Sequence, residues 1–208
     1  MRTTIYVDGY NLYYGSLRGT PYKWLNLQSL FAAVLSRNNE ITAIKYFTAR
    51  ISSTASDPDK ANHQDAYLRA LKREIPELTI YFGQFTTHEV RAKLVTPIAG
   101  QRYADVSRTS EKGSDVNLAV HLVNDAWLGT YDCAVIVSGD SDLAEAMALV
   151  KAHHPQKRLG VIRTRSKGSS KELGLNASFV RYIPKAALLA SQFPDVIPGT
   201  KIKKPPDW

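Results

Sequence analysis

Five polar residues in this 208-residue sequence have the type and placement to gather around a cation: Asp8 and Asn11 in YVDGYN, Asp115 in EKGSD, and Asp140 and Asp142 in VSGDSD. Carboxylates brought within a few ångströms repel one another, so they must take up protons or share a positive charge. Mg2+ or Mn2+ is the natural partner, since both prefer carboxylate and water oxygens. Zinc is a poorer match, because the five histidines are scattered and Cys133 is the one cysteine. A hard cation held in this way acidifies bound water and neutralises charge on a phosphate under attack. Each aspartate also has an ordinary reading as a helix cap or turn residue. Only their convergence would raise them above it.

Convergence depends on the elements that carry them. TTIYV is a short β-rich run ending at Asp8, with Gly9, Tyr10 and Asn11 suited to the turn that follows. Leu27, Leu30, Phe31, Val34 and Leu35 recur at helical spacing behind Asn26, a natural cap. TAIKYFTARI reads as a second strand, Asp57–Pro58 as the capped start of a helix reaching about Glu74, and LTIYFGQF as a third strand. Residues 86–109 suit a hairpin or a basic loop offering Arg91, Lys93, Arg102 and Arg108 to a ligand. Ser114 can cap a helix that buries Val116, Ala119, Val120, Val123, Ala126 and Trp127. The apolar run before SGDSD predicts a strand covered on both faces, a helix follows over about 142–153, and RLGVIRT is another strand. Gly168, Ser169 and Ser170 suggest a loop, residues 171–175 a short helix, and FVRYI an edge strand. This alternation predicts a three-layer α/β/α domain with a mostly parallel central sheet. Ligands of such sheets bind beyond the carboxyl ends of the strands, where Asp8, Asp140 and Asp142 would stand, with Asp115 in the first turn of a helix starting at the same edge. One domain over residues 1–190 is expected, with a basic, proline-containing tail at 191–208 that is either disordered or docked on a partner.

Charge is unevenly spread. There are 27 basic and 19 acidic residues, a net +8, and residues 151–185 hold nine Lys or Arg against Glu172, so the remainder is neutral overall. Local positive charge attracts polyanions, although an ordinary solvated surface is the plain alternative. Arg163, Arg165, Lys167 and Lys171 are the basic candidates beside the predicted acidic centre, and Tyr10, Tyr13 and Tyr14 are candidates for base stacking or core packing. Ser138 and Ser141 suit phosphate or water positioning, or a turn. The first residues lack the apolar stretch of a secretory signal or membrane span, and the lone Cys133 lies in an apolar run, so a cytoplasmic protein without membrane contact is expected. Neither GxxxxGK[ST] nor GxGxxG occurs at the first strand, which argues against nucleotide cradling by those loops.

As an ordered set, YVDGYNLYYG, EKGSDVNLAVHL and VIVSGDSDL resemble the three blocks of the NYN domain family, relatives of the PIN-domain nucleases with LabA-like members. The resemblance covers about residues 3–165. It implies a PIN-like α/β/α fold and an acidic pocket for Mg2+ or Mn2+. It further implies endonucleolytic hydrolysis of RNA phosphodiester bonds, with DNA and self-association left open. By the same resemblance, Asp8, Asp115, Asp140 and Asp142 are metal ligands, Asn11 is their polar support, and Gly113 and Gly139 are close-approach turn positions. Glu111 falls either beside the site or in a surface pair with Lys112. Many relatives carry aspartate where this chain has His121, a departure implying weaker metal affinity. The alternative function is therefore a catalytically weak or inactive RNA-binding regulator.

Overall fold

A computed structural model of the chain describes residues 1–98, 100–164, 171–206 and 208, with residue 171 described in its backbone alone. In chain order the elements are β1 (Arg2–Asp8), α1 (Gly9–Leu12) running into a π-helical turn at Tyr13–Leu17, α2 (Leu27–Val34), β2 (Glu40–Ala49), α3 (Lys60–Glu74), β3 (Leu78–Ile98) and β4 (Gln101–Lys112). They continue with α4 (Ser114–Trp127), β5 (Cys133–Val137), a 3-10 turn at Ser141–Leu143, α5 (Ala144–His153), β6 (Arg158–Arg163), α6 (Lys171–Asn176), β7 (Phe179–Tyr182) and α7 (Lys185–Ala190). The seven strands form one sheet in the order β4-β3-β2-β1-β5-β6-β7. Every pairing is parallel except β3–β4.

The central strands explain the layers. On β5 every side chain is buried, and alternate residues serve opposite faces. Cys133, Val135 and Val137 join Leu30 and Phe31 of α2 and Leu68 and Leu71 of α3. Ala134 and Ile136 join Leu118 and Leu122 of α4 and Met147 and Val150 of α5. A strand buried on both faces must be apolar throughout, which is why the Cys133–Val137 run has no alternation. The result is the expected α/β/α arrangement with a mostly parallel sheet.

Several local expectations change. Residues 86–109 are a hairpin: β3 leaves β2 after the Ala49–Gly83 pair and continues as a two-stranded ribbon with β4. The helix expected after Asp57–Pro58 begins at Lys60, its N-cap is Asp59, and Asp57 instead bridges back to Thr54. Gly113, not Ser114, caps α4, at a φ of 98° that favours glycine. The largest correction is the face of α4. Val116, Val120 and Trp127 are 65%, 59% and 52% exposed, while Leu118, Leu122, Asp125 and Ala126 point inward. The tail is docked on its own domain, with Phe193 and Ile197 buried and Trp208 set against Trp24 and Tyr67.

Asp125 faces inward because it has partners there. Lys45 of β2 donates to its carboxylate at 2.6 Å, and the Tyr6 hydroxyl donates to the same oxygen at 2.6 Å. Among the described residues, no helix is long and apolar enough to cross a membrane.

Candidate functional site

At the carboxyl edge of the sheet, Asp8, Tyr10, Asn11, Tyr14, Phe85, Glu111, Ser114, Asp115 and Asp140 line a cleft of about 360 Å³. Three chain crossovers feed it. Asp8 ends β1 and caps α1, its Oδ1 accepting from the Asn11 backbone N–H at 2.8 Å. Its other oxygen accepts from the Ser138 hydroxyl at 2.9 Å, and Ser138 Oγ in turn accepts from the Asp140 N–H at 3.1 Å. Asn11 Oδ1 accepts from the Gly139 N–H and the Thr164 hydroxyl, both at 3.0 Å. The turns after β1, β5 and β6 are therefore laced together by one carboxylate, one amide and two hydroxyls.

Asp8 is only 3% exposed. Burial pushes its carboxyl upward, the negative charge of Asp140 adds to this, and the hydrogen bonds from Asn11 and Ser138 oppose it. Asp115, in the first turn of α4, is pushed from an ordinary 3.8 to about 6, by burial first and then by the charges of Asp8, Asp140, Glu111 and Asp142. Negative charge on one side of the cleft is thus felt on the other. A folded-state pKa raised in this way means that Asp115 favours folding fully below its unfolded value and loses that contribution as pH rises through about 6. The full shift would correspond to about 3 kcal/mol, which solvent screening at a half-exposed carboxylate reduces to about 1 kcal/mol. In EDTA, Asp115→Asn should therefore unfold at a higher temperature than the native protein near pH 7.5 and at the same temperature near about pH 4. Equal midpoints at both pH values would remove the repulsion from the account.

Glu111 comes from the far end of β4, opposite Phe85 in the register. It binds the start of α4, accepting from the Ser114 N–H at 3.1 Å and the Ser114 hydroxyl at 2.8 Å. Gly83 makes room for this: a Cβ there would collide with the Glu111 carboxylate and lie 2.6 Å from the Lys112 carbonyl oxygen. Gly83→Ala is expected to cost about 1–3 kcal/mol by forcing strand and cap apart. A urea midpoint shared with the native protein would show that the cap gives way freely.

Asp140 caps the 3-10 turn, its Oδ1 accepting from the Asp142 N–H at 3.1 Å. Asp142 itself is exposed and outside the cleft lining, so four of the five expected residues share the cavity and the fifth acts on it through charge. Tyr10 and Phe85 meet edge to face with centroids 6.2 Å apart, and Tyr14 lines the cleft, whereas Tyr13 packs on the core. His121 lies elsewhere: its ring is 4.1 Å from that of Tyr81, its Nδ1 is 3.5 Å from Lys45 Nζ, and burial together with Lys45 pushes its pKa down. Of the basic candidates, Arg165, Lys167 and the Lys171 side chain lie outside the described residues, as do Gly168, Ser169 and Ser170. Arg163 is not on the cleft wall. Of the two expectations for Glu111 the place beside the site is the observed one, whereas Phe85 and Thr164 were not foreseen. They reach the site through β3–β4 register and the end of β6, neither of which leaves a local signature.

Among the described residues, no group of three or more His, Cys, Asp or Glu is arranged as a ready-made metal cluster. The donor chemistry nevertheless fits a hard divalent cation, because mutually repelling carboxylates are what such an ion relieves.

The mostly parallel sheet between helices, with an acidic cleft beyond the carboxyl ends of its central strands, is consistent with the PIN-like class of α/β/α protein. The chain belongs to the NYN domain family, part of the PIN-like nuclease superfamily, whose family model matches residues 2–184. It is also 36% identical, over 236 aligned positions, to 6-hydroxy-3-succinoylpyridine 3-monooxygenase HspA of Pseudomonas putida, an alignment covering 100% of this chain and 75% of that protein. A crystal structure of a Vibrio parahaemolyticus protein of unknown function shares the fold with a TM-score of 0.53 at 17% identity, over 88% of this chain and 93% of that one.

Proposed function

We propose that this protein is a metal-dependent ribonuclease that hydrolyses phosphodiester bonds within an RNA strand. The observation that carries this reading is the meeting of Asp8, Asp115 and Asp140 in one open cleft, where burial and then the charges of its acidic neighbours push the Asp115 carboxyl up to about 6. Asp8, Asp115 and Asp140 would hold Mg2+ or Mn2+, with Asp142 adding charge. Mg2+ commonly uses one or two carboxylates and keeps several waters, so a preformed three-ligand cage is not required. When bound, the ion supplies an acidified water and neutralises charge building on the phosphate. The chain's own residues fix the rest. Ser138 and Asn11 hold Asp8 in one orientation through hydrogen bonds to both of its oxygens. Tyr10, Tyr14 and Phe85 give the cleft aromatic walls on which unpaired bases can stack.

The test is a cleavage screen of the purified protein on labelled single-stranded RNA and DNA with Mg2+, Mn2+ or EDTA. Internal RNA cuts that vanish in EDTA are expected. Salt-sensitive RNA binding without cuts under any metal would transfer the assignment to a non-catalytic RNA-binding regulator, and DNA cleavage of equal rate would remove the preference for RNA.

A second reading rests on the Pseudomonas putida relative, which aligns along the whole chain and is named for oxygenation of a hydroxypyridine. A cleft of about 360 Å³ with Tyr10, Tyr14 and Phe85 on its walls is of a size to hold a single-ring substrate. Inserting one atom of O2 into the ring sends the other to water and consumes two electrons, so a reductant such as NADH is needed. Oxygen uptake dependent on both 6-hydroxy-3-succinoylpyridine and NADH would favour this reading over nuclease action.

A further inference from the structure

Among the described residues, the positive charge of the sequence does not belong to the acidic cleft. Residues 151–185 carry the excess, yet the cleft lining contains no Lys or Arg among the described residues. Two of these cations, Arg158 and Arg181, meet at the opposite edge of the sheet. There they line a cavity of about 600 Å³ together with Leu35, Asn38, Asn39 and Phe179. Arg158 opens β6, pairing with Cys133 at the start of β5, and Asn38 and Asn39 precede β2, so this cavity sits at the amino ends of the strands.

The side chains there are arranged around one ring. Gly160 pairs with Phe179 and Ile162 with Arg181, which puts Arg158, Phe179 and Arg181 on one face of the β6–β7 edge. The Phe179 ring lies across Gly160, where a Cβ would overlap it. The Arg158 and Arg181 guanidinium carbons stand 5.9 Å and 5.7 Å from the ring centroid, within cation–π range. Neither arginine takes part in the ion pairs of the described residues. Stacking on a ring orients a guanidinium; Arg181 Nη1 donates to the Val180 carbonyl oxygen at 3.3 Å, and the remaining N–H donors of the two forks match the oxygens of a phosphate. Among the described residues no carboxylate lines the cavity, while Ser36, Asn38 and Asn39 offer neutral donors and acceptors beside the cations. The volume falls in the range of small-molecule sites, about 300–1,000 Å³, and exceeds what inorganic phosphate alone would fill.

We propose that this cavity is a second binding site, for a nucleoside phosphate, with Arg158 and Arg181 gripping the phosphate and the Ser36–Asn39 segment meeting the polar edges of sugar or base. The ligand is either a free mononucleotide or the phosphorylated end of an RNA strand, since both present the same group. This site is spatially separate from the acidic cleft, and it stands whether or not the cleft hydrolyses RNA.

The experiment is calorimetric titration of the full chain in EDTA with AMP, CMP, adenosine, and a short oligoribonucleotide bearing either 5′-phosphate or 5′-hydroxyl. Binding of AMP and CMP but not adenosine is expected. Arg158→Gln with Arg181→Gln should weaken binding by about tenfold or more, whereas Asp8→Asn should leave it unchanged. Arg158→Lys with Arg181→Lys retains the charge without the planar fork; an intermediate affinity is expected, and this pair carries the test if the glutamine pair does not fold. Tighter binding of the 5′-phosphorylated oligonucleotide than of both AMP and its 5′-hydroxyl counterpart assigns the strand end; any other order among the bound probes assigns the free nucleotide. Absence of binding by every phosphate-bearing probe, or a double variant that binds as tightly as the native protein, overturns the site.

Discussion

Asp8→Asn is expected to lower RNA cleavage by about 10²–10³-fold, the loss seen when one fixed electrostatic group is removed from a reaction centre, without loss of fold stability. The two halves of this result have separate causes. The carboxylate is buried, and its pKa is pushed up by desolvation and by Asp140, so the fold disfavours its ionised form. With the folded-state value raised, its contribution to stability is complete below the unfolded value and declines as pH rises, and a neutral amide escapes that decline. Asn can still accept from the Asn11 N–H, while its NH2 must face the Ser138 hydroxyl, which can rotate to accept. The cost of that exchange, about 1 kcal/mol, is set against relief of the buried charge. Thermal unfolding and initial cleavage rates on the same preparation provide the check. A variant that cleaves at the native rate in both Mg2+ and Mn2+ would remove Asp8 from the reaction. A variant inactive because it melts early would reduce Asp8 to a structural cap.

The acids were legible in the sequence because each stands where a strand or turn must stop. Asp8 follows the last apolar residue of β1, and Asp140 follows the Ser138–Gly139 turn after β5; topology alone then brings both to one edge. Asn26 was legible for the same local reason, and it caps α2 through the Ser29 N–H at 3.0 Å. Non-local geometry was not readable. Glu111 and Phe85 reach the cleft because one register of a long antiparallel ribbon places them opposite each other, and shifting that register by one residue would turn each side chain to the other face. The tail misled through composition: lysine and proline between Phe193 and Trp208 dilute the pattern, although a few large rings suffice to dock it. On α4, two apolar stripes compete, and the one with Val116, Val120 and Trp127 faces solvent. The buried stripe contains Asp125, a residue that periodicity assigns to the surface unless its partner on β2 is known.

That partner makes Asp125→Ala the stability change of largest expected size, about 3–5 kcal/mol, because it leaves a buried charge unmatched. The Lys45 ammonium would keep the His121 ring nitrogen at 3.5 Å and the Tyr6 and Tyr81 rings at 6.0 Å and 5.7 Å, none of which carries negative charge. The Tyr6 hydroxyl, buried between Phe47 and Tyr131, would lose its acceptor as well. Tyr6→Phe should cost less, about 1.5–3 kcal/mol, because it removes one hydrogen bond to a charged group and leaves the Lys45–Asp125 pair intact. Replacing both ends, Lys45→Met with Asp125→Leu, should restore much of the loss, since apolar side chains pay no desolvation penalty there. Urea unfolding of Lys45→Met, Asp125→Leu and the two combined measures the coupling directly. Additive losses in the double variant would mean that Lys45 and Asp125 act independently, and the inward turn of Asp125 would then owe nothing to the ion pair. A full loss for Asp125→Ala with recovery in the double variant would instead show that the loss comes from the unmatched Lys45 charge, so that Asp125 serves the buried stripe of α4 as the partner of a β2 lysine. The same choice of face sets the rotation of the helix that carries Asp115 into the cleft and His121 away from it.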